Sequence, residues 1–257
     1  MMIPLRVRIH REYNRCYKWL LRLCWNVQGK DAPRVYMFHN VVDTEEQVYS
    51  QFAITKKSFE RFIEHLVSQR NKAMDAELLQ QAIDRPCNYA NHYCITFDDI
   101  YDTVYSNAYP VLKKHNVPFV IFVTDELVGK IDSYSKLLFI TDEHLREMLA
   151  DSLCILASHG TEHKMFRDYT HTGAVTALMD SKQMLSIKYE RKIELFAFPF
   201  GRRVEVSNDA IQCVKEAGYK YGFSALDGSL KQSWLSGRYF LPRILVDDQY
   251  VEKELRK

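Results

Sequence analysis

Short apolar runs rich in β-forming residues alternate with stretches of helical periodicity from Arg34 onward. Apolar positions spaced by three and four residues predict helices over residues 59–67 and 178–185. A third predicted helix begins after the N-cap residue Ser207 and ends at Gly218. The predicted strands cover residues 35–38, 93–97, 119–124, 153–158, 195–199, 221–225 and 240–246.

This alternation of strands and helices predicts a parallel α/β architecture, either an open sheet or a barrel. A chain of 257 residues is long enough to bury one sizeable core. The sequence contains no internal repeat and no linker-like segment. We therefore expect one domain over residues 34–257, preceded by an N-terminal arm over residues 1–33.

Residues 1–30 of the arm are strongly basic, with seven Lys and Arg residues against the single acid Glu12. On a helix, Tyr13, Tyr17, Leu20 and Leu21 would line one side, which fits either contact with an anionic membrane surface or packing on the domain. Its apolar runs are too short for a signal-peptide core or a membrane span. We expect a cytoplasmic protein, with peripheral contact at the inner membrane face as one interpretation of the arm.

Charge and cysteine content narrow the functional classes. A formal net charge of +2 gives no general attraction to nucleic acid, so no nucleic-acid partner is expected. The six cysteines are scattered and form no CxxC pair. This pattern indicates neither a zinc knuckle nor a disulfide framework and favours a reducing compartment.

Polar residues follow several predicted strands at the point where each strand ends. His39 follows residues 35–38, the pair Asp98 and Asp99 follows residues 93–97, and His159 follows residues 153–158. In a parallel barrel these strand ends share one rim, the face that carries active sites. Residues far apart in sequence are thereby expected to meet.

Two motifs at this rim have complementary chemistry. His159 and His163 are spaced i, i+4 and can bind one metal ion, although the spacing also arises by chance. An acidic pair such as Asp98–Asp99 can instead cap a helix. Together, one carboxylate and two imidazoles form a ligand set with room for water and substrate, and the second carboxylate can serve as general base.

These motifs resemble those of the polysaccharide deacetylases with a NodB-type domain, carbohydrate esterase family 4. The resemblance covers roughly residues 34–247, with the motifs in the family's order. It is strongest to the branch that acts on exopolysaccharide. The matching segments are ITFDDIY at 95–101, HGTEH at 159–163, FAFPFG at 196–201, VYMFHNV at 35–41 and LPRI at 241–244.

The resemblance implies a distorted (β/α)7 barrel and a metal-dependent hydrolase. Asp98 would be the general base, and a divalent metal, most often Zn²⁺, would be held by Asp99, His159 and His163. The backbone N–H of Tyr101 would stabilise the oxyanion. The remaining assignments are His39 as general acid and Pro199, Phe200 and Gly201 as residues that shape the substrate cleft.

The sequence departs from the family pattern at three places. Ile100 stands where the first motif has glycine, so the local backbone either differs or tolerates a side chain. Ala197 stands where the family often has an arginine that orients the catalytic aspartate, and Arg243 is the candidate to reach Asp98 instead. The usual late histidine is missing, which leaves only His39 for the acid role.

The resulting functional hypothesis is N-deacetylation of N-acetylated sugars in a surface polysaccharide or its cytoplasmic precursor. Within enzymes, the alternative is a hydrolase of the same fold that acts on a small non-sugar amide. From a different class, the alternative is a catalytically silent glycan-binding module, motivated by Ile100 and Ala197. The presence of Asp98 and the three candidate metal ligands argues against a silent module.

Overall fold

The computed structural model describes residues 31–48, 50, 52–133 and 135–256. Residues 1–30 of the basic arm lie outside the described residues, so both interpretations of the arm, and the cellular location inferred from it, remain predictions. Among the described helices, none combines the length and apolar character needed to cross a membrane.

A curled sheet of parallel strands forms the centre of the described structure. The strands are β1 (Arg34–Phe38), β2 (Asn40–Val42), β3 (Ala53–Thr55), β4 (Lys72–Ala73), β5 (His92–Asp98), β6 (Phe119–Val123), β7 (Cys154–Ser158), β8 (Leu195–Ala197), β9 (Tyr221–Phe223) and β10 (Ile244–Leu245). The sheet has the order β10-β1-β5-β6-β7-β8-β9. Strand β4 pairs with the start of β5, and β2 pairs with β3 in a separate two-stranded sheet.

The two edges of the sheet are joined by the segment that leads into β10. Gly222 N donates to Arg238 O at 3.0 Å, and Leu241 N donates to Gly222 O at 2.8 Å. Ser224 N in turn donates to Leu241 O at 2.8 Å. The same segment continues into β10 and pairs with β1. The predicted distorted (β/α)7 barrel is therefore confirmed.

Helices surround this sheet. They are α1 (Lys56–Ser68), α2 (Ala76–Asp84), α3 (Tyr109–Lys114), α4 (Asp142–Ala150), α5 (His171–Tyr189), α6 (Asn208–Glu216), α7 (Ser233–Ser236) and α8 (Asp248–Leu255), and a π-helical turn over Val104–Ala108 precedes α3. Helix α6 starts where predicted, because the Ser207 side chain accepts a hydrogen bond from Ala210 N. It ends before Gly218, whose φ of +76° allows the chain to turn away.

Successive side chains of β5 point alternately into a core inside the barrel and into a core between the strands and the helices. Cys94 belongs to the buried cluster inside the barrel, whereas Ile95 and Phe97 belong to the cluster between strands and helices. Thr96 is fully buried and donates to Tyr36 O at 2.9 Å. Since side chains alternate with period two, Asp98 continues the inward series above Cys94 and Thr96. The strand therefore delivers this carboxylate to the inner rim of the barrel.

The sequence predicted seven of the ten described strands but not the short strands β2, β3 and β4, and some of the predicted strands are longer than the observed ones. The prediction of residues 195–199 is too long, because the chain leaves β8 after Ala197 and turns at Phe200, whose φ is +60°. The prediction of residues 240–246 is also too long, because this segment bonds first to β9 and then to β1 instead of forming one ladder. Helices α2 and α4 were not predicted from the sequence.

Candidate active site

The carboxyl ends of the parallel strands bring the predicted polar residues to one rim. His39 directly follows β1, Asp98 ends β5 and Asp99 follows it, and His159 directly follows β7. His39 lies close enough to Asp98, Asp99 and His163 for their charges to affect the pKa of its imidazole. The parallel topology therefore assembles the predicted group. Asp247, which follows the predicted strand over residues 240–246, has a structural role instead, because its side chain accepts from Tyr250 N at 2.7 Å as the N-cap of α8.

Asp98 is held by a bidentate ion pair with Arg243. Nη1 of Arg243 donates to Oδ1 of Asp98 at 2.6 Å, and Nη2 donates to Oδ2 at 2.7 Å. Both side chains are buried, with relative exposures of 3% for Asp98 and 1% for Arg243. Nε of Arg243 also donates to Ser224 O at 2.9 Å. The guanidinium lies 5.2 Å from the centre of the Phe122 ring, which supports it from below. The structure thus places Arg243 where the sequence hypothesis needed it.

The ion pair keeps Asp98 in its charged form. Burial alone would raise the pKa of this carboxyl group, but the charge of Arg243 and its hydrogen bonds, with help from His159, lower the pKa to about 2. Arg243 uses two of the roughly four lone-pair sites of the carboxylate. Asp98 is therefore an anion with acceptor capacity left over.

Asp99, His159 and His163 point their ligand atoms at one another. Oδ1 of Asp99 lies 3.1 Å from Nε2 of His163 and 3.5 Å from Nε2 of His159. Ligand atoms bound at about 2.0–2.2 Å around a tetrahedral zinc ion are separated by about 3.3–3.6 Å. Oδ1 of Asp99 is also buried without a hydrogen-bond partner in the described structure. The donor set and its spacing therefore fit a divalent metal ion.

The environment of His159 prepares it for ligation. Its Nδ1 lies 2.9 Å from Ala197 O, which fixes the proton on Nδ1 and leaves the lone pair on Nε2. Burial lowers the pKa of the imidazole, against smaller raising effects of Asp98 and Asp99, and so favours the neutral form that a ligand requires. Ala197 lacks the expected arginine side chain, yet its carbonyl orients a candidate ligand.

The backbone is unusual at the same residues. Asp99 has a φ of +55° and His163 a φ of +52°, a region that non-glycine residues rarely adopt. Such conformations persist only where surrounding contacts impose them, and they cluster at functional sites. The strained turns aim both side chains at the shared position between them.

His39 lies beside the carboxylates with an exposed aromatic neighbour. Its ring centroid is 4.7 Å from that of Phe52, which is 41% exposed. Burial lowers the pKa of His39, while the charges of Asp98 and Asp99 oppose this effect. No hydrogen-bond partner reaches its buried Nδ1 within the described structure.

Ile100 occupies an ordinary backbone conformation, since the positive φ of this turn falls on Asp99 instead. Its side chain is buried at 2% exposure, and its carbonyl accepts from Ile140 N at 2.9 Å. The position therefore tolerates a side chain. The next ring, that of Tyr101, stacks on Phe139 at 4.7 Å. The oxyanion role of the Tyr101 backbone N–H remains a prediction.

The third motif forms a turn beside the candidate metal ligands. Phe200 is 41% exposed, and its ring centroid lies 4.8 Å from that of His163. Pro199 is buried and lines a small cavity together with His163. Gly201 is buried with a φ of +33° and accepts from Ala225 N at 2.8 Å. Phe200 is thus the residue of this motif that is available to a ligand.

Two contributors to the site were missed by sequence reasoning. Phe52 lies in an irregular segment before β3, where no periodicity or motif marks it. The Ser224 carbonyl that orients Arg243 is a backbone group, and residue type gives no signal for it. A sequence pattern can identify candidate side chains, but it cannot identify the backbone carbonyl groups that position them.

Comparisons with known proteins agree with this geometry. The sequence model of the family described as polysaccharide deacetylase matches residues 85–222. The curated poly-beta-1,6-N-acetyl-D-glucosamine N-deacetylase of Staphylococcus aureus is 28% identical over an alignment of 171 residues that covers 63% of this chain. The Staphylococcus epidermidis protein of the same name is 28% identical over 172 residues. These alignments cover 57% of each relative, so the chain matches little more than half their length.

Solved structures share the fold. IcaB from Ammonifex degensii has a TM-score of 0.73 and 21% identity, covering 88% of this chain and 96% of that one. The Streptococcus pyogenes deacetylase PplD, solved in complex with acetate, has a TM-score of 0.71 and 20% identity, covering 86% of this chain and 97% of that one. At these identities the likeness establishes the barrel fold.

Proposed function

Because the chain belongs to the polysaccharide deacetylase family, we propose that it is a metal-dependent N-deacetylase that removes acetyl groups from an N-acetylated glycan. The observation that carries the proposal is the juxtaposition of two units at one rim. One is the ionised Asp98 clamped by Arg243, and the other is the set of ligand atoms from Asp99, His159 and His163. Hydrolysis of an acetamide needs both a base for water and an electrophilic centre for the carbonyl.

Asp99, His159 and His163 would hold the ion, which we propose to be Zn²⁺ because imidazole and carboxylate ligands suit it. When bound, a divalent ion supplies positive charge for the carbonyl oxygen and raises the acidity of water. The side chains prepare this site themselves. The Ala197 carbonyl fixes the tautomer of His159, and the backbone turn at Asp99 directs Oδ1 towards both rings.

Asp98 would take the proton from the attacking water. Its charge is secured by Arg243, and its remaining lone pairs are free to accept. The low pKa makes it a modest base but keeps it deprotonated throughout the neutral range. Arg243 acts as a positioning residue, because its fork fixes the plane of the carboxylate and its Nε is anchored on Ser224 O.

His39 would donate a proton to the departing amine, so that water and acetamide become acetate and a free amine. Burial lowers the pKa of His39 and favours the neutral imidazole in the resting site. The charges of Asp98 and Asp99 oppose this effect and favour the protonated form, which is the form that can act as the acid. The Tyr101 backbone N–H would hydrogen-bond the developing oxyanion. Phe200 and Phe52 offer exposed ring faces beside His163 and His39, against which a sugar ring can pack.

The names of the curated relatives point to the substrate class. The staphylococcal relatives are named for poly-beta-1,6-N-acetyl-D-glucosamine. We propose an N-acetylglucosamine polymer of the exopolysaccharide type, or its precursor, as the substrate. Action on a cytoplasmic precursor near the inner membrane face is a further part of the proposal, and it depends on the basic arm.

The test measures metal content and acetate release on the same samples. Wild type, Asp98→Asn and Asp99→Ala would be incubated with N-acetylated glycans of several linkages and with small non-sugar acetamides. We expect Asp98→Asn to keep the metal and lose most acetate release, whereas Asp99→Ala loses both. Asp180→Ala, at an exposed position of α5, serves as the carboxylate control and should behave as wild type.

Each alternative has its own outcome. Acetate release from the small amides alone would replace the glycan with a non-sugar substrate. Full activity in Asp98→Asn would remove its role as the base. A folded wild type that binds a glycan but neither holds metal nor releases acetate would make the chain a glycan-binding module.

A further inference from the structure

A second group of metal-binding side chains lies outside the barrel, where α5 packs on α6. His171 is the first residue of α5, and Asp209 and Cys213 lie one turn apart on α6. One ligand atom from each of the three lies within 4.8 Å of the others. We propose that these residues bind a divalent transition-metal ion of the zinc class, which joins the two helices. This site is separate from the proposed catalytic function.

The distances suit such an ion with one small adjustment. Nδ1 of His171 lies 3.5 Å from Sγ of Cys213. Bonds of about 2.0 Å to nitrogen and 2.3 Å to sulfur in tetrahedral geometry also give about 3.5 Å. Nδ1 lies 2.7 Å from Oδ1 of Asp209, which must widen by about 0.6 Å to match a bound pair. The Asp209 side chain is 65% exposed and has room to move.

A carboxylate on the far side of the ring completes the arrangement. Nε2 of His171 lies 2.9 Å from Oε2 of Glu216. With Nδ1 directed at a metal, Nε2 carries the proton and donates it to Glu216, the usual metal–imidazole–carboxylate order. Glu216 is held in turn by Gln212, whose Nε2 donates to Oε1 at 2.8 Å. Glu216 therefore orients the imidazole from the side opposite the proposed metal ion.

Ion pairing alone does not account for this group. An imidazolium between Asp209 and Glu216 would account for the two carboxylates, whereas the buried thiol of Cys213 lies 3.5 Å from the same Nδ1 and 3.8 Å from His171 O. Thiolate with imidazole selects zinc or cobalt over magnesium or calcium. The amino ends of both helices oppose a cation. Burial, together with the charges of Asp209 and Glu216, raises the pKa of the Cys213 thiol to about 11, so the bound ion itself would have to displace the thiol proton.

The site is also accessible. Asp209 and Cys213 line a cavity of about 390 Å³ that lies beside the first turn of α6. Three protein ligands leave one position of a tetrahedral ion open for a water molecule.

Cobalt(II) is the probe, because a thiolate ligand gives a charge-transfer band in the near ultraviolet. The Asp99→Ala variant removes a ligand of the rim site, which contains no thiol. We expect this variant to develop the band with one equivalent of cobalt. Adding Cys213→Ser should abolish the band, whereas Cys87→Ser, at an exposed thiol, should leave it unchanged. His171→Gln, at an exposed position, tests the same site if Cys213→Ser fails to fold.

Two further measurements separate a metal site from a chance thiol contact. Glu216→Gln should keep the band and weaken cobalt binding by about tenfold or more. Excess zinc should raise the melting temperature of Asp99→Ala but not that of the form that also carries Cys213→Ser. Absence of the band, or a band that survives Cys213→Ser, would overturn the proposal. Acetate release enters none of these readouts, so the result is independent of the deacetylase test.

Discussion

Replacing Arg243 with methionine tests whether the buried ion pair stabilises the fold as well as the site. Methionine keeps much of the side-chain volume but leaves Asp98 buried without its partner. A pKa of about 2 in the folded protein against a usual 3.8 corresponds to about 2 kcal/mol of stability at neutral pH. Because the variant also leaves a buried charge uncompensated, the expected loss in free energy of unfolding is about 3–5 kcal/mol.

The assay is urea denaturation at pH 7 and pH 4, with Arg238→Met as the matched control. Arg238 pairs with Asp84 at 3.0 Å, but their side chains are 53% and 46% exposed, so its loss should cost at most about 1 kcal/mol. In wild type, the contribution of Asp98 is present above pH 4 and lost as pH falls towards 2. In Arg243→Met, burial raises the pKa of Asp98, so the folded variant gains stability as pH falls.

The difference in free energy of unfolding between wild type and Arg243→Met should therefore be smaller at pH 4 than at pH 7. If Arg243→Met lowers the free energy of unfolding no more than Arg238→Met does, the reasoning that Arg243 compensates a buried charge is refuted. A difference that stays constant with pH would show that lost packing, not the ionised Asp98, causes the destabilisation.

Three further predictions concern other parts of the barrel. Burial raises the pKa of half-buried Asp125 to about 6, so folding stability should decline as pH rises from 4 to 6. Asp125→Asn should remove this decline and raise the free energy of unfolding, measured by urea denaturation, by about 1 kcal/mol at pH 7.5. This value is smaller than the pKa shift alone would give, because Asp125 is partly exposed to solvent. Gly201→Ala should lower the free energy of unfolding by more than about 2 kcal/mol, because the new Cβ would lie 2.7 Å from Ala225 N. In the control Gly160→Ala the new Cβ meets no atom within 4 Å, so the loss should be about 1 kcal/mol. Equal shifts in melting temperature for the two variants would contradict this. Phe200→Ala should raise KM for a glycan severalfold while kcat and stability change little, and an unchanged KM in steady-state kinetics would exclude sugar packing on its exposed ring.

The sequence by itself determined seven of the ten described strands, their parallel direction and the residues at their ends. Asp98, Asp99 and His159 could be predicted to meet because parallel strands deliver their carboxyl ends to one rim. The start of α6 at Ser207 was also readable, since a capping side chain bonds to the backbone only three residues away. These features depend on local periodicity and on a topological rule that holds for any parallel barrel.

The tertiary structure alone decided which partners complete the site. Arg243 was only a candidate in the sequence, because the pairing requires a contact across 145 residues and a segment that changes strand partners before β10. Phe52 beside His39, and Cys213 beside His171, follow from how loops and helices pack, which periodicity does not encode. Local pattern determines what each segment becomes, but the side chains that meet across the barrel are selected by packing of the whole chain.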